Sequence, residues 1–365
     1  MTASSPASAP TTRTLRVVVA SPLPEELCRL IEQAEPRIEL VRDQSLLPPM
    51  RHPADHGGDP AFTRTPAQQA EFERLLDSAD VLYGIPGANP AALRRTVQAN
   101  PRLRWVQLMA AGGGAQVKAA GLSDADLDRV AFSTSAGVHG GPLAEFALFG
   151  ILAGAKQLPR LQRQQQEHVW SGRWPLGQVR DQTVLLVGLG GIGREIARLT
   201  QAVGMHVIGT RRPGHTAAVE KAAALVDEFV SIDDLAEAAG RADAIVISLP
   251  GTTATAGLVG ADVFAAARPG VTIVNVGRGT VIDEDALLAA LQSGQVGFAA
   301  LDVFATEPLP ADNPLWDLPN VLVSPHTAAL DPGEERRIAE LFADNATNLL
   351  DGRPLHNKVD THEFY

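Results

Sequence analysis

Thr183-Val184-Leu185-Leu186-Val187-Gly188-Leu189-Gly190-Gly191-Ile192-Gly193 is the stretch that decides how the chain folds. Its first five residues form a short apolar run with no inside–outside alternation, the pattern of a strand covered on both faces. The glycines then permit a tight turn at Gly188, close backbone approach at Gly190 and close helix–strand packing at Gly193. A helical pattern follows from Arg194 to Ala202. Strand, glycine turn and helix in that order open a parallel α/β sheet.

Working outward, the same strand type recurs at His206–Gly209, Ala244–Ser248, Thr272–Val276, Phe298–Val303 and Val321–Ser324. The segments between carry helix punctuation: Asp283 is placed to cap a helix over Glu284–Ser293, and Gly294 to end it in a left-handed residue. Upstream, strands are expected at Leu15–Ala20, Val81–Ile85 and Leu103–Met109, with helices at Pro24–Gln33, Pro66–Ser78 and from Pro90 to about Gln98. Pro142 to about Gln166 reads as one long helix crossing between two lobes. Arg42–Thr65 has no apolar period, and a loop of that length is expected to be a lid, an interface arm or mobile. No solenoid repeat is present.

The chain has 365 residues, and at roughly 150 per domain that makes about two domains. With 45% hydrophobic and 20% charged residues, it has a core to bury. Its net charge of −11, from 31 basic and 42 acidic side chains, is the wrong sign for gripping nucleic acid through a general field. Cys28 is the single cysteine, which excludes an internal disulfide and suits a reducing compartment. No apolar run reaches membrane-span length, and Met1–Thr12 has neither a basic nor a hydrophobic segment, so it reads as a tail. A soluble cytoplasmic protein is the expectation.

The glycine turn has the context of a phosphate-binding site, since the free amides of a helix start donate hydrogen bonds to an anion. An NAD site places Asp or Glu about 20 residues on, at the end of the second strand. Here Thr210-Arg211-Arg212 stands instead, with Arg211 23 residues after Gly188 and no acid before Glu220. A guanidinium cannot accept from a ribose hydroxyl but suits a 2′-phosphate, which points to NADP, with NAD still possible.

Three downstream turns each follow a strand: Gly277-Arg278-Gly279, Asp302-Val303-Phe304-Ala305-Thr306-Glu307-Pro308 and Ser324-Pro325-His326-Thr327-Ala328. Arg278, Glu307 and His326 lie 29 and then 19 residues apart. A histidine titrates near neutral pH, a carboxylate beside it fixes its tautomer, and an arginine holds a carboxylate or polarises a carbonyl. Each residue alone has a bland explanation. Together, downstream of a nucleotide turn, they read as a site for reducing a ketone. His52, Asp55, His56 and Asp59 crowd the irregular loop, but no regular element pre-positions them, and no metal is expected.

With these residues in hand, the chain resembles the D-isomer-specific 2-hydroxyacid dehydrogenases, in particular glyoxylate/hydroxypyruvate reductases. The likeness runs from the glycine turn through Gly277-Arg278-Gly279, Ala300-Leu301-Asp302-Val303-Phe304, Glu307-Pro308-Leu309-Pro310 and Asn320-Val321 to Pro325-His326. It is strong over Val184–Ala329 and weak before Leu103. The resemblance implies two Rossmann-like lobes, each an open parallel sheet flanked by helices, with a cleft between them. The dinucleotide-binding domain is expected at 152–326, and a discontinuous substrate-binding domain at 1–151 plus 327–365.

It further implies that His326 is the acid/base, Glu307 its orienting partner and Arg278 the substrate-binding arginine, with the amides of Ala111 and Gly112 on the substrate carboxylate. Gly188, Gly190, Gly191, Ile192, Gly193, Thr210, Arg211, Arg212, Leu249, Pro250, Val276, Asp302, His326 and Ala328 are the implied cofactor contacts. Gly114 departs from the family, standing where many members carry Asp. Glu307 argues against a formate dehydrogenase. A phosphoglycerate dehydrogenase with a regulatory tail is not expected, since 39 residues follow His326. A homodimer joined through the cofactor lobe is implied, acting on a small 2-oxo or 2-hydroxy acid; a dinucleotide-sensing binding protein is the alternative on the same fold.

Overall fold

A computed structural model describes residues 14–52, 54–212, 222–362 and 364. The tail read at Met1–Thr12 and the acid at Glu220 lie outside the described residues. The chain divides into two compact units, residues 1–138 with 331–365, and residues 139–330.

The first unit holds five parallel strands, β1 (Leu15–Val19), β2 (Ile38–Val41), β3 (Val81–Tyr83), β4 (Trp105–Gln107) and β5 (Ala131–Ser133), in the order β2-β1-β3-β4-β5. Most are very short, so the sheet depends on what packs across it. Helix Glu334–Leu350 lays Phe342 flat on Trp105 at 4.9 Å and edge-on to Tyr83 at 5.1 Å between ring centres, with all three rings fully buried. Local capping sets the helices. Thr65 and Gln68 form a reciprocal capping box ahead of Pro66–Asp77, and Asn89 accepts from the Ala91 amide ahead of Pro90–Ala99.

Arg42–Thr65 is irregular apart from a short 3-10 turn at Gln44–Leu46, yet it is anchored. Arg42 binds Glu25 and Glu32 at 2.7 Å, Asp55 binds Arg51, the Ala54 amide donates to Glu335, and Arg64 lies 4.0 Å over the Phe72 ring. Asp55 is thus committed to a guanidinium, whose hydrogen bonds hold its carboxyl far below the usual range.

The second unit has seven parallel strands, β6 (Thr183–Val187), β7 (His206–Arg211), β8 (Glu228–Ser231), β9 (Ala244–Ile247), β10 (Val271–Asn275), β11 (Val296–Leu301) and β12 (Val321–Val323), in the order β12-β11-β10-β9-β6-β7-β8. The order reverses between β6 and β9. At such a switch point the crevice beyond the strand ends is where ligands bind. Asp283 accepts from the Ala286 amide and Gly294 is left-handed, so Glu284–Ser293 begins and ends as its sequence dictates.

Two expectations change. The long helix over Pro142–Gln166 is two helices, Gly140–Ala155 and Leu158–Gln166, broken at Gln157, which takes a left-handed φ of 51°. Pro159 has no amide proton for the Ala155 carbonyl and would clash with it in a continuous helix. That carbonyl instead accepts from the Gly177 amide at 3.0 Å. The units also join at 138–139 and 330–331, not at 151–152 and 326–327. Helix Gly140–Ala155 packs Gly150 against Val274 and Ala300 and so belongs wholly to the second sheet.

Candidate active site

The glycine turn sits at the C-terminal end of β6. Gly188 has a φ of +113°, which a side chain would resist, and a Cβ on Gly193 would collide with the Gly188 carbonyl. Beside Gly190 there is open space, and the helix Gly191–Ala202 that starts there has no side-chain cap. The amides of its first turn therefore face outward without an intrahelical acceptor. Thr210 braces the turn from β7. Its hydroxyl accepts from the Gly188 amide at 3.1 Å and donates to the Leu186 carbonyl at 3.2 Å. Across the switch point the Ser248 hydroxyl donates to the Gly188 carbonyl at 3.1 Å, a contact that sequence reasoning missed.

Arg211 ends β7 and Arg212 follows it; both are exposed, and neither has a carboxylate partner among the described residues. Leu249 and Pro250 follow β9, with Leu249 against Gly188. Ile192 and Ala328 pack at the edge of the core that holds buried Val276.

Arg278 stands in the turn after β10, and its flanking glycines are required by contact. A Cβ on Gly279 would overlap the Phe304 backbone, and one on Gly277 would press on the Leu249 carbonyl. The arginine turn is therefore pinned, backbone to backbone, against the segment that leads to Glu307. Buried Asn275 clamps it from below, accepting from the Gly277 amide at 3.0 Å and donating to the Arg278 carbonyl at 3.1 Å. A fully buried asparagine at the end of an apolar strand was the available signal for this role.

Glu307 precedes a cis Pro308 and accepts from the Phe304 amide at 3.0 Å. Its other oxygen lies 2.7 Å from His326 Nδ1. Burial pushes the Glu307 carboxyl up, but the His326 hydrogen bond, the Phe304 amide and the nearby charges of His326 and Arg278 outweigh it and hold it below the usual carboxylate value. His326 is left-handed, at φ 54°, a conformation held here by its neighbours. Asp302 does the holding. Its carbonyl accepts from the His326 amide at 2.9 Å, while Oδ1 accepts from Ser324 at 2.6 Å, Thr327 at 2.9 Å and Ala328 at 3.0 Å. The side chains of His326 and Glu307 remain 47% and 35% exposed, open to a small molecule.

Arg278, Glu307 and His326 thus gather at the C-terminal ends of neighbouring strands of one sheet. Ala111 and Gly112 belong to the first unit, in the turn after β4. Neither of their amides meets a protein acceptor among the described residues. Cys28 is buried in the first unit, and burial pushes its thiol up to about 11, so it is no nucleophile. No helix among the described residues is long and apolar enough to cross a membrane.

The family model for the NAD binding domain of D-isomer specific 2-hydroxyacid dehydrogenases matches residues 148–328. A D-3-phosphoglycerate dehydrogenase of Mycobacterium leprae is 34% identical over 295 residues, which is 78% of this chain and 53% of that protein. A glyoxylate/hydroxypyruvate reductase B of Pectobacterium carotovorum is 33% identical over 223 residues, 60% of this chain and 68% of that one. The chain spans only 40% to 54% of the length of phosphoglycerate dehydrogenases that it matches. A crystal structure of a D-isomer specific 2-hydroxyacid dehydrogenase from Xanthobacter autotrophicus Py2, in complex with NADPH and MES, superposes with a TM-score of 0.72 at 27% identity, covering 96% of this chain and all of that one.

Proposed function

Since the chain belongs to the D-isomer specific 2-hydroxyacid dehydrogenase family, we propose that it reversibly reduces a small 2-oxo acid to the D-2-hydroxy acid, with NADPH preferred over NADH. Glyoxylate and hydroxypyruvate are the substrates that fit this reading, which the named reductase relatives support. The observation that carries it is the 2.7 Å bond between His326 and Glu307, beside an arginine turn packed on the same segment.

The turn at Gly188–Gly193 is a cradle with space at Gly190 and uncapped amides, which suits a pyrophosphate. Arg211 and Arg212 stand where a 2′-phosphate would be met. Leu249, Pro250, Val276, Asp302 and Ala328 complete the proposed contacts, although Asp302 and Thr210 serve chiefly by bracing loops. When bound, the dinucleotide supplies a hydride to the carbonyl carbon. Glu307 holds the Nδ1 proton of His326, which leaves Nε2 to protonate the carbonyl oxygen and, in reverse, to take that proton back. Arg278 draws on the carbonyl and carboxylate oxygens; within the first unit, the amides of Ala111 and Gly112, which meet no protein acceptor among the described residues, are suited to donate to a carboxylate. A homodimer in the cytoplasm is part of the proposal; the exposed apolar side chains Phe149, Leu161, Val169, Trp170 and Leu176, which fall in one stretch of the second unit, support its being joined there.

Steady-state turnover of several 2-oxo acids with NADPH and NADH, for wild type and His326→Ala, tests the reading. Wild-type reduction should fall by about 10²- to 10⁴-fold in the variant. Tight dinucleotide binding with no turnover of any acid would instead mark a sensor. Replacing Arg211 and Arg212 with Ala should erase the NADPH preference, and an unchanged ratio would refute their role.

A further inference from the structure

The segment that carries Glu307 has little packing to hold it. Phe304 is buried, but residues 305–308 are exposed and belong to no helix or strand. A carboxylate that must meet His326 Nδ1 at 2.7 Å from such a segment depends on hydrogen bonds for its place. Two consecutive amides supply them. That of Phe304 donates to Glu307 itself at 3.0 Å, and that of Ala305 donates to Glu284 at 2.6 Å. The peptide between Phe304 and Ala305 is also the one on which Gly279 packs, so closely that a Cβ there would overlap it. It is therefore a joint, with the Arg278 turn on one side and Glu307 on the other, and Glu284 is the side chain that grips it.

Glu284 grips from a fixed base. It is the first residue of helix Glu284–Ser293, and the cap before it, Asp283, donates its amide proton to the carbonyl of fully buried Val259 at 3.1 Å. Leu287 and Leu291 of that helix are buried in the same core as Phe304. An acid in the first turn of a helix ordinarily serves the helix alone, through its dipole. Asp285 already supplies such a charge. Glu284 instead crosses 21 residues of sequence to an amide two residues from Glu307, and a carboxylate acceptor makes that bond about twice as strong as a neutral one.

We propose that Glu284 is a positioning residue for the pair that handles the proton. By holding the Ala305 amide it fixes the turn from which Glu307 reaches His326, and it acts on the reaction only through Glu307. The proposal rests on the reduction proposed above for its rates, and on the His326–Glu307 bond for its geometry.

Variants of the full chain separate this role from that of a helix charge. Glu284→Asp keeps the charge but is a methylene short of Ala305; Glu284→Gln keeps the reach and loses the charge; Glu284→Ala loses both. Single-turnover oxidation of NADPH by hydroxypyruvate should slow roughly tenfold in the Ala and Asp variants and stay within about twofold of wild type in the Gln variant. NADPH affinity should hold in all of them. Adding Glu284→Ala to Glu307→Gln should slow the reaction no further than Glu307→Gln alone, because the two lie on one path. In protein labelled with heavy nitrogen at histidine, the Nδ1 resonance of His326, assigned by its loss in His326→Ala, should move in the Ala and Asp variants and stay in the Gln variant. A faster Asp than Gln variant makes Glu284 a helix charge and overturns the proposal. So do losses that multiply in the double variant, or a wild-type rate and resonance in Glu284→Ala. If the Ala variant does not fold, the Asp and Gln variants decide alone. Should the wild type reduce no 2-oxo acid, the proposed reaction fails, and the His326 resonance still decides whether Glu284 sets the pair.

Discussion

The turn after β4 and the turns after β10, β11 and β12 occupy equivalent places, the C-terminal ends of parallel strands, but they are built in opposite ways. The turn at Ala111–Gly112 offers bare backbone amides and no charged side chain. The others present Arg278, Glu307 and His326, each fixed by a buried polar residue or by backbone packing. The supporting structure differs too. The first sheet adds to the helices between its own strands one from the far end of the chain, through Phe342, whereas the second is covered by helices between its strands and by Gly140–Ala155 just upstream of them. The residues proposed to handle the proton, which would need placement to within a few tenths of an ångström, stand where hydrogen bonds and backbone packing fix them. The turn proposed to bind a carboxylate, by contrast, rests on a sheet that takes a helix from the far end of the chain.

That contrast can be broken first at Phe342. Phe342→Ala removes the ring under Trp105 and Tyr83 and should cost about 3–5 kcal/mol of the first unit's stability. Denaturant melts should show it, and a cost below about 1 kcal/mol would deny the dependence on the distant helix. The effect of Glu307→Gln should be smaller in free energy. Loss of a histidine's charged partner is worth about 10- to 100-fold in turnover, with the melting temperature nearly unchanged. Because the Glu307 carboxyl is held below its usual value, the wild-type pair should persist through the ordinary carboxylate range and fail only as the pH falls below it. Gly279→Ala forces a Cβ onto the Phe304 backbone, so about 1–3 kcal/mol of strain should appear. The Michaelis constant for the oxo acid should rise with it as Arg278 shifts.

The last expected effect, on acid stability, lies at Glu35. Its hydrogen bonds from Arg37 and Thr347 hold its carboxyl at about 2 despite burial. A depressed carboxyl stabilises the fold above its unfolded value and loses that contribution as pH falls. The first unit should therefore weaken between the ordinary carboxylate range and about pH 2. Glu35→Gln should flatten that slope in acid denaturation.

Sequence legibility follows the same divide. In the second unit, a positive φ forces glycine at 188 and close backbone approach forces it at 193, 277 and 279, so the chemistry is bracketed by residues that one can read. Four of the first unit's details were not readable. Edge strand β2 has four residues and β5 three, too few for any period to emerge. The short helices Gly114–Ala120 and Asp124–Arg129 lie where no apolar stripe marks them. The break at Gln157 was signalled by Pro159 but outweighed by the apolar spacing around it. Ser248 and the loop-holding role of Asp302 escaped because their partners lie some 20 to 60 residues along the chain, and Asn275 escaped although its partners are the neighbouring Gly277 amide and Arg278 carbonyl. Only the folded geometry identifies those partners.

The most direct test follows an atom. Hydroxypyruvate should be reduced with NADPH deuterated at the transferring carbon of its nicotinamide ring, and the glycerate then resolved by enantiomer and mass. The account predicts D-glycerate carrying one deuterium at the former carbonyl carbon, at a rate that collapses in His326→Ala. L-glycerate, product without deuterium, or a rate indifferent to His326 would contradict it.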